Sequence, residues 1–193
     1  MARIIPLRTG WGPGPGDSTH YPDDLPQDWQ LAYFANAFWG VLVPQPLWSA
    51  AGAAGASDWA AETPARFRFF LDLAMPASPP MLAAVVRALG DRLGGLVMSG
   101  TLSGARVGAG AARLCRAASA SQVGGAAEGF DGFAYEVPAD LIPDLRRARP
   151  WIEERVSAAR PPNAPEPAVA LLGHCALADL ERWQTLVELM GLA

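Results

Sequence analysis

Lysine is absent from this chain: all 15 basic residues are arginine. No Schiff-base lysine and no Walker-type phosphate lysine can operate here. Cysteine is nearly absent too. Cys115 and Cys175 lie 60 residues apart without metal-ligand spacing, the pattern of two buried small hydrophobes in an intracellular chain rather than a disulfide or a metal site. The two histidines, His20 and His174, form no HxH or HExxH pair, so no dedicated metal motif is present. Neither Ser99 nor Ser103 stands in a G-x-S-x-G elbow, which argues against serine hydrolysis. No apolar run reaches the roughly 18 residues of a membrane span, and Met1 to Arg8 lacks the apolar core and cleavage site of a signal peptide. A cytoplasmic protein without membrane partners is expected. Net charge is -4 and the pI is near 5.1, so there is no basic footprint for nucleic acid.

What is present is apolar and periodic. With 51% hydrophobic residues in 193, the chain is long enough to bury one core, and a single α/β domain over residues 1–193 is expected. Ile4, Ile5 and Leu7 predict a first strand. The loop Gly10 to Gly16 superficially suggests a dinucleotide fingerprint, but interleaved prolines rather than a helix follow it. Pro26 suits a helix start, and Leu31, Phe34, Ala35 and Phe38 recur at i, i+3, i+4 and i+7. Gly40 to Val43 reads as a strand buried on both faces and stopped by Pro44. Ala50 to Ala61 reads as a connection with one helical turn near Trp59. Arg66 to Leu73 returns to strand.

A helix capped by Ser78 and Gly90 and a strand from Gly95 to Met98 follow. Ser103 to Ala120 reads as a small-residue helix, with Arg113 and Arg116 on its solvated face. Its glycine-rich entry fits either close packing on a sheet or an anion held by free N–H groups. Phe133 to Val137 predicts a fifth strand, Asp140 caps a helix to Arg149 with Pro150 kinking it or starting another, and Ala168 to Leu172 predicts a sixth strand. Leu180, Trp183, Val187 and Met190 close the chain as a helix. Six alternating βα units imply a parallel sheet, either a barrel or an open doubly wound sheet.

An ordered set of landmarks in the first half carries a resemblance: Gly10-Trp11, Tyr21-Pro22 with Leu25-Pro26, Leu31 to Ala35 with Phe38, Trp59 with Thr63-Pro64, and Phe67-Arg68-Phe69. It is similar to the YecE-like family of uncharacterised bacterial TIM-barrel proteins. The resemblance implies an α/β, TIM-barrel-like (βα)n fold. It also implies polar strand-end residues that this chain has replaced: a glutamate and an asparagine by Leu42 and Pro44, a lysine by Asp72, and a glutamine by Ser99, leaving Glu136 as the matching acid. Six strands against the eight of a closed barrel of roughly 200 to 250 residues predict a reduced, incomplete barrel. Its unpaired edges would be covered by loops or by a second copy, so a homodimer is an expected partner arrangement.

In such a fold the C-terminal strand ends line one mouth. Arg8, Gln45, Asp72, Ser99, Glu136 and His174 lie there, and Trp11, Trp48 and Trp59 beside turns suggest an aromatic rim. Two readings stay open. One is a non-catalytic barrel binding a small molecule or protein partner through Arg8, Trp11, Gln45, Trp48 and Ser99. The other is a metal-assisted hydrolase or lyase using Asp72, Glu136 and His174, two carboxylates and an imidazole suited to a divalent ion. Neither cofactor nor substrate is specified.

Overall fold

The computed structural model describes residues 4–14, 16–17, 20–74, 77–98, 111–117, 130–158 and 168–192. Within them the order is β1 (Ile4–Leu7), α1 (Gln30–Ala37), β2 (Gly40–Val43), α2 (Gln45–Glu62), β3 (Arg68–Leu73), α3 (Pro79–Leu89), β4 (Leu93–Met98), β5 (Arg113–Ala117), β6 (Gly132–Glu136), α4 (Leu145–Ala158), β7 (Ala168–Leu171) and α5 (Leu177–Leu189). All seven strands belong to one sheet in the order β1-β7-β6-β5-β4-β3-β2, and every pairing is parallel.

The chain just past the end of β1 meets the other outer strand, β2. Leu42 N–H donates to the Arg8 carbonyl and Gly10 N–H to the Leu42 carbonyl, both at 2.9 Å, making a parallel bridge between Thr9 and Leu42. The sheet therefore rolls into a nearly closed, seven-stranded, TIM-barrel-like barrel. The edges on which the expectation of a homodimer rests approach each other at this seam.

Alternation along the strands divides the core in two. Leu7, Leu42, Phe70, Val97, Leu114, Ala134, Val169 and Leu171 form one cluster, with at least one residue from every strand, and this is the barrel interior. The neighbouring positions Val41, Val43, Phe69, Leu71, Leu96, Met98, Cys115, Phe133, Tyr135 and Ala170 face the helices in a second, larger cluster. The bore of seven strands is narrow, and a phenylalanine fills its lower part only because glycines surround it. A Cβ on Gly94 would stand 2.5 to 2.9 Å from three ring carbons of Phe70, and one on Gly40 would stand 2.7 Å from the Arg68 carbonyl. Gly94 is the extra residue where the β3–β4 register shifts between Phe69 and Phe70.

Helix α2 is longer than the single turn expected near Trp59. It starts at Gln45 with Pro46 in its first turn, where proline's missing N–H costs nothing, and it bends at Gly52, whose φ of 61° only glycine adopts readily. The helix after β6 begins later than expected. Asp144, not Asp140, caps it by accepting from the N–H groups of Arg146 and Arg147 at 3.1 and 3.3 Å, and Pro150 lies inside it.

The segment read as one helix from Ser103 to Ala120 is the main correction. Arg113 to Ala117 is strand β5, paired to β4 and β6, which raises the strand count to seven. Residues 103–110 and 118–120, including the glycine-rich entry with its anion reading, lie outside the described residues. So does the proline-rich stretch 160–167. No helix among the described residues is long and apolar enough to cross a membrane.

Candidate functional site

The interior cluster ends one layer below the mouth. Two residues further along each strand the side chain points to the same side of the pleat, so Asp72 follows Phe70, Arg116 follows Leu114 and Glu136 follows Ala134. These three meet. Arg116 Nη2 donates to Asp72 Oδ1 at 2.7 Å, reaching across β4, and Arg116 Nη1 donates to Glu136 Oε1 at 2.8 Å on the neighbouring strand. Their side chains are 29%, 19% and 49% exposed for Arg116, Asp72 and Glu136 respectively, a gradient from the wall of the mouth to solvent. Burial pulls the Arg116 pKa down, but the hydrogen bonds and charges of Glu136 and Asp72 outweigh it, and the pKa is raised. The cluster thus holds a permanent cation between two carboxylates. With both carboxylates ionised it carries one net negative charge.

Sequence reasoning assigned Arg116 to a solvated helix face, because Arg113 and Arg116 at i, i+3 within a small-residue stretch fit one. The available signal was the length of the run Arg113-Leu-Cys-Arg-Ala117, five residues set between glycine clusters, which is strand-like. The resemblance implies a lysine where Asp72 stands. The cation is instead supplied from β5.

His174 lies exposed in the turn between β7 and α5. Among the described residues no three His, Cys, Asp or Glu side chains are grouped to hold a metal ion. Asp72 and Glu136 are brought together, but around a guanidinium.

The other strand-end residues do different work. Arg8 is 4% exposed. It donates through Nη1 to Asp17 Oδ2 at 2.6 Å and through Nη2 to the Gly12 carbonyl at 2.9 Å. Asp17 also accepts from Gly14 N–H at 2.8 Å and, through Oδ1, from Leu177 N–H at 2.7 Å. This buried pair ties the loop after β1 to the start of α5, and Asp17 meets two orphan amides that loop and helix ends would otherwise leave bare. Gln45 is buried at the first position of α2. Trp48 has no exposed surface, and its Nε1–H donates to the Asp72 carbonyl at 2.9 Å, so it braces the backbone of a mouth residue from behind. Trp11 is half-buried, edge-on to Trp59 at 5.1 Å and to Phe69 at 6.5 Å. Ser99 lies outside the described residues.

A nearly closed parallel α/β barrel carrying a charged cluster at the C-terminal mouth of its strands is the class of protein defined here. No family model matches the sequence, and no curated protein matches it. Solved structures do match its fold. One is a DUF72 family protein of Thermotoga maritima MSB8, with TM-score 0.61 and 11% identity over 96% of this chain and 99% of that one. Another is a DUF72 family protein of Enterococcus faecalis V583, with TM-score 0.51 and 10% identity over 100% of this chain and 99% of that one. At such identities the likeness is one of fold.

Proposed function

We propose that this chain is a YecE-like barrel that binds a small polar ligand at the strand mouth without catalysing a reaction on it. The family reading is supported by the ordered landmarks of the first half together with the fold shared with DUF72 proteins. The observation that carries the binding reading is the Arg116 fork held between Asp72 and Glu136. A guanidinium fixed by two carboxylates is a preorganised anchor, presenting acceptor lone pairs beside fixed donors. With two anions to one cation, the mouth favours a ligand rich in hydroxyl or amino donors over an anion. Apolar packing directly below leaves this polar layer as the floor on which such a ligand rests. Metal-assisted hydrolysis would need a third ligand beside Asp72 and Glu136, and the guanidinium stands between those two.

Ligand-observed NMR with a panel of amino alcohols and polyols tests the proposal. At least one member is expected to bind the wild type and to lose binding in Asp72→Asn and Arg116→Gln, both of which should remain folded. Binding unchanged in both variants would refute the mouth as the site. A stoichiometric divalent ion in the purified protein, lost in Asp72→Ala or His174→Ala, would overturn the binding reading in favour of the hydrolase.

A further inference from the structure

A pocket of about 370 Å³ opens between α1 and the start of α5, and none of Asp72, Arg116 and Glu136 lines it. Its walls are rings. Tyr21, Phe34 and Phe38 are buried and Tyr33 stands at the rim, 43% exposed. Tyr21 and Tyr33 lie 5.6 Å apart between centroids, and Phe34 and Phe38 lie 4.7 Å apart. His20, Asn36, Ala37 and Leu177 complete the lining. The size falls in the range of small-molecule sites, and three of the four rings belong to the hydrophobic core that backs the pocket.

Acids outnumber bases around it, the Arg66 guanidinium being the cation that reaches its wall, at the Asn36 carbonyl. Between residues 9 and 65 there is no arginine or lysine, against six acids: Asp17, Asp23, Asp24, Asp28, Asp58 and Glu62. Asp17 is neutralised by Arg8, whereas Asp23 and Asp24 are exposed within three residues of Tyr21, and Asp28 is exposed in the turn that leads into α1. His20 Nε2 lies 3.5 Å from Glu181 Oε2 at the rim. Helix α1 also ends in the pocket wall, at Asn36 and Ala37, where its last carbonyls carry the negative end of the helix dipole. Two donors are already drawn to them: Arg66 to the Asn36 carbonyl at 2.6 Å and Gln184 to the Ala37 carbonyl at 3.3 Å. The Tyr21 hydroxyl is likewise committed, donating to the Trp11 carbonyl.

We propose that this pocket binds a weakly hydrated organic cation of the quaternary ammonium type. Ring faces attract cations, more strongly when the site is desolvated. A quaternary ammonium has no N–H to satisfy, which suits walls whose polar atoms are largely committed. A primary ammonium or guanidinium would leave buried donors bare. The site is independent of the barrel mouth.

Choline and its neutral carbon isostere 3,3-dimethyl-1-butanol provide the test, by NMR titration of the full chain. Choline is expected to bind with upfield-shifted methyl protons, and the neutral isostere to bind about tenfold more weakly, the scale of a partly desolvated cation–π contribution. Tyr33→Ala is expected to weaken choline binding by a similar factor, Tyr33→Phe to retain it, and Asp72→Asn to leave it unchanged. Equal affinity for the isostere, unaltered choline binding in Tyr33→Ala, or no choline binding at millimolar concentration would each overturn the assignment. Loss of choline binding in Asp72→Asn would also overturn it, by moving the cation to the mouth. Because Tyr33 is a rim residue, the Tyr33→Ala protein is expected to show wild-type urea unfolding.

Discussion

Two arginine–carboxylate clusters sit at the same end of this barrel, one a neutral pair and the other a triad with an excess carboxylate, and they differ as much in burial. At β1, Arg8 and Asp17 are buried, with side chains 4% and 0% exposed, and Asp17 is further satisfied by two backbone N–H groups. At β3, β5 and β6, Asp72, Arg116 and Glu136 are held, among the described residues, by two ion pairs and face solvent progressively. The first cluster ties chain segments together. The second is partly exposed. A charged strand-end residue in a parallel barrel is therefore not a site by position, and burial decides which of the two roles it takes.

The sharpest way to break the comparison is to remove one partner of the buried pair. Asp17→Asn leaves the Arg8 charge uncompensated and is expected to cost about 3 to 5 kcal/mol in urea unfolding. A comparable effect appears at high pH around the same cluster. Burial, opposed by Arg8, pushes Tyr21 up to about 12 from 10.0 and Cys175 up to about 12 from 9.0. Both groups keep their protons in the folded state while the unfolded chain loses them. Stability is full below about pH 9 and falls as pH rises toward 12, with roughly 4 kcal/mol lost by pH 11. Unfolding followed at pH 8 and pH 11 checks this, and equal stabilities would contradict it. Trp48→Phe removes the donor to the Asp72 carbonyl and is expected to cost about 1 kcal/mol while weakening binding at the mouth. Arg116→Gln is expected to change stability least, by less than about 1 kcal/mol, in keeping with partly exposed ion pairs. Its effect should be smaller in high salt, whereas that of Asp17→Asn should be nearly unaffected.

The barrel itself was legible from residues. Buried runs such as Val41-Leu42-Val43 and Phe69-Phe70-Leu71, separated by amphipathic helices, read as parallel strands because only a sheet covered on both faces lacks alternation. Asp72 and Glu136 were placed at the mouth by the same reasoning. Arg116 was missed because Arg113 to Ala117 is only five residues long and is set inside a small-residue stretch, and local periodicity cannot separate a short strand from a turn or two of helix. Arg8 was placed at a strand end correctly, but its burial depends on Asp17 folding back over it and on Leu177, 160 residues further along the chain. No local pattern encodes a contact at that separation. The seam between Arg8 and Leu42 that closes the sheet was hidden for the same reason: a strand count says nothing about how tightly the sheet curls.

The most direct test of this division of roles is a pair of double-mutant cycles in urea unfolding, Arg8→Ala with Asp17→Ala and Arg116→Ala with Asp72→Ala. A coupling energy of about 2 to 3 kcal/mol for the first pair and less than about 1 kcal/mol for the second is predicted. Equal coupling in the two cycles would contradict the account, because it would make the mouth cluster as much a part of the scaffold as the buried pair.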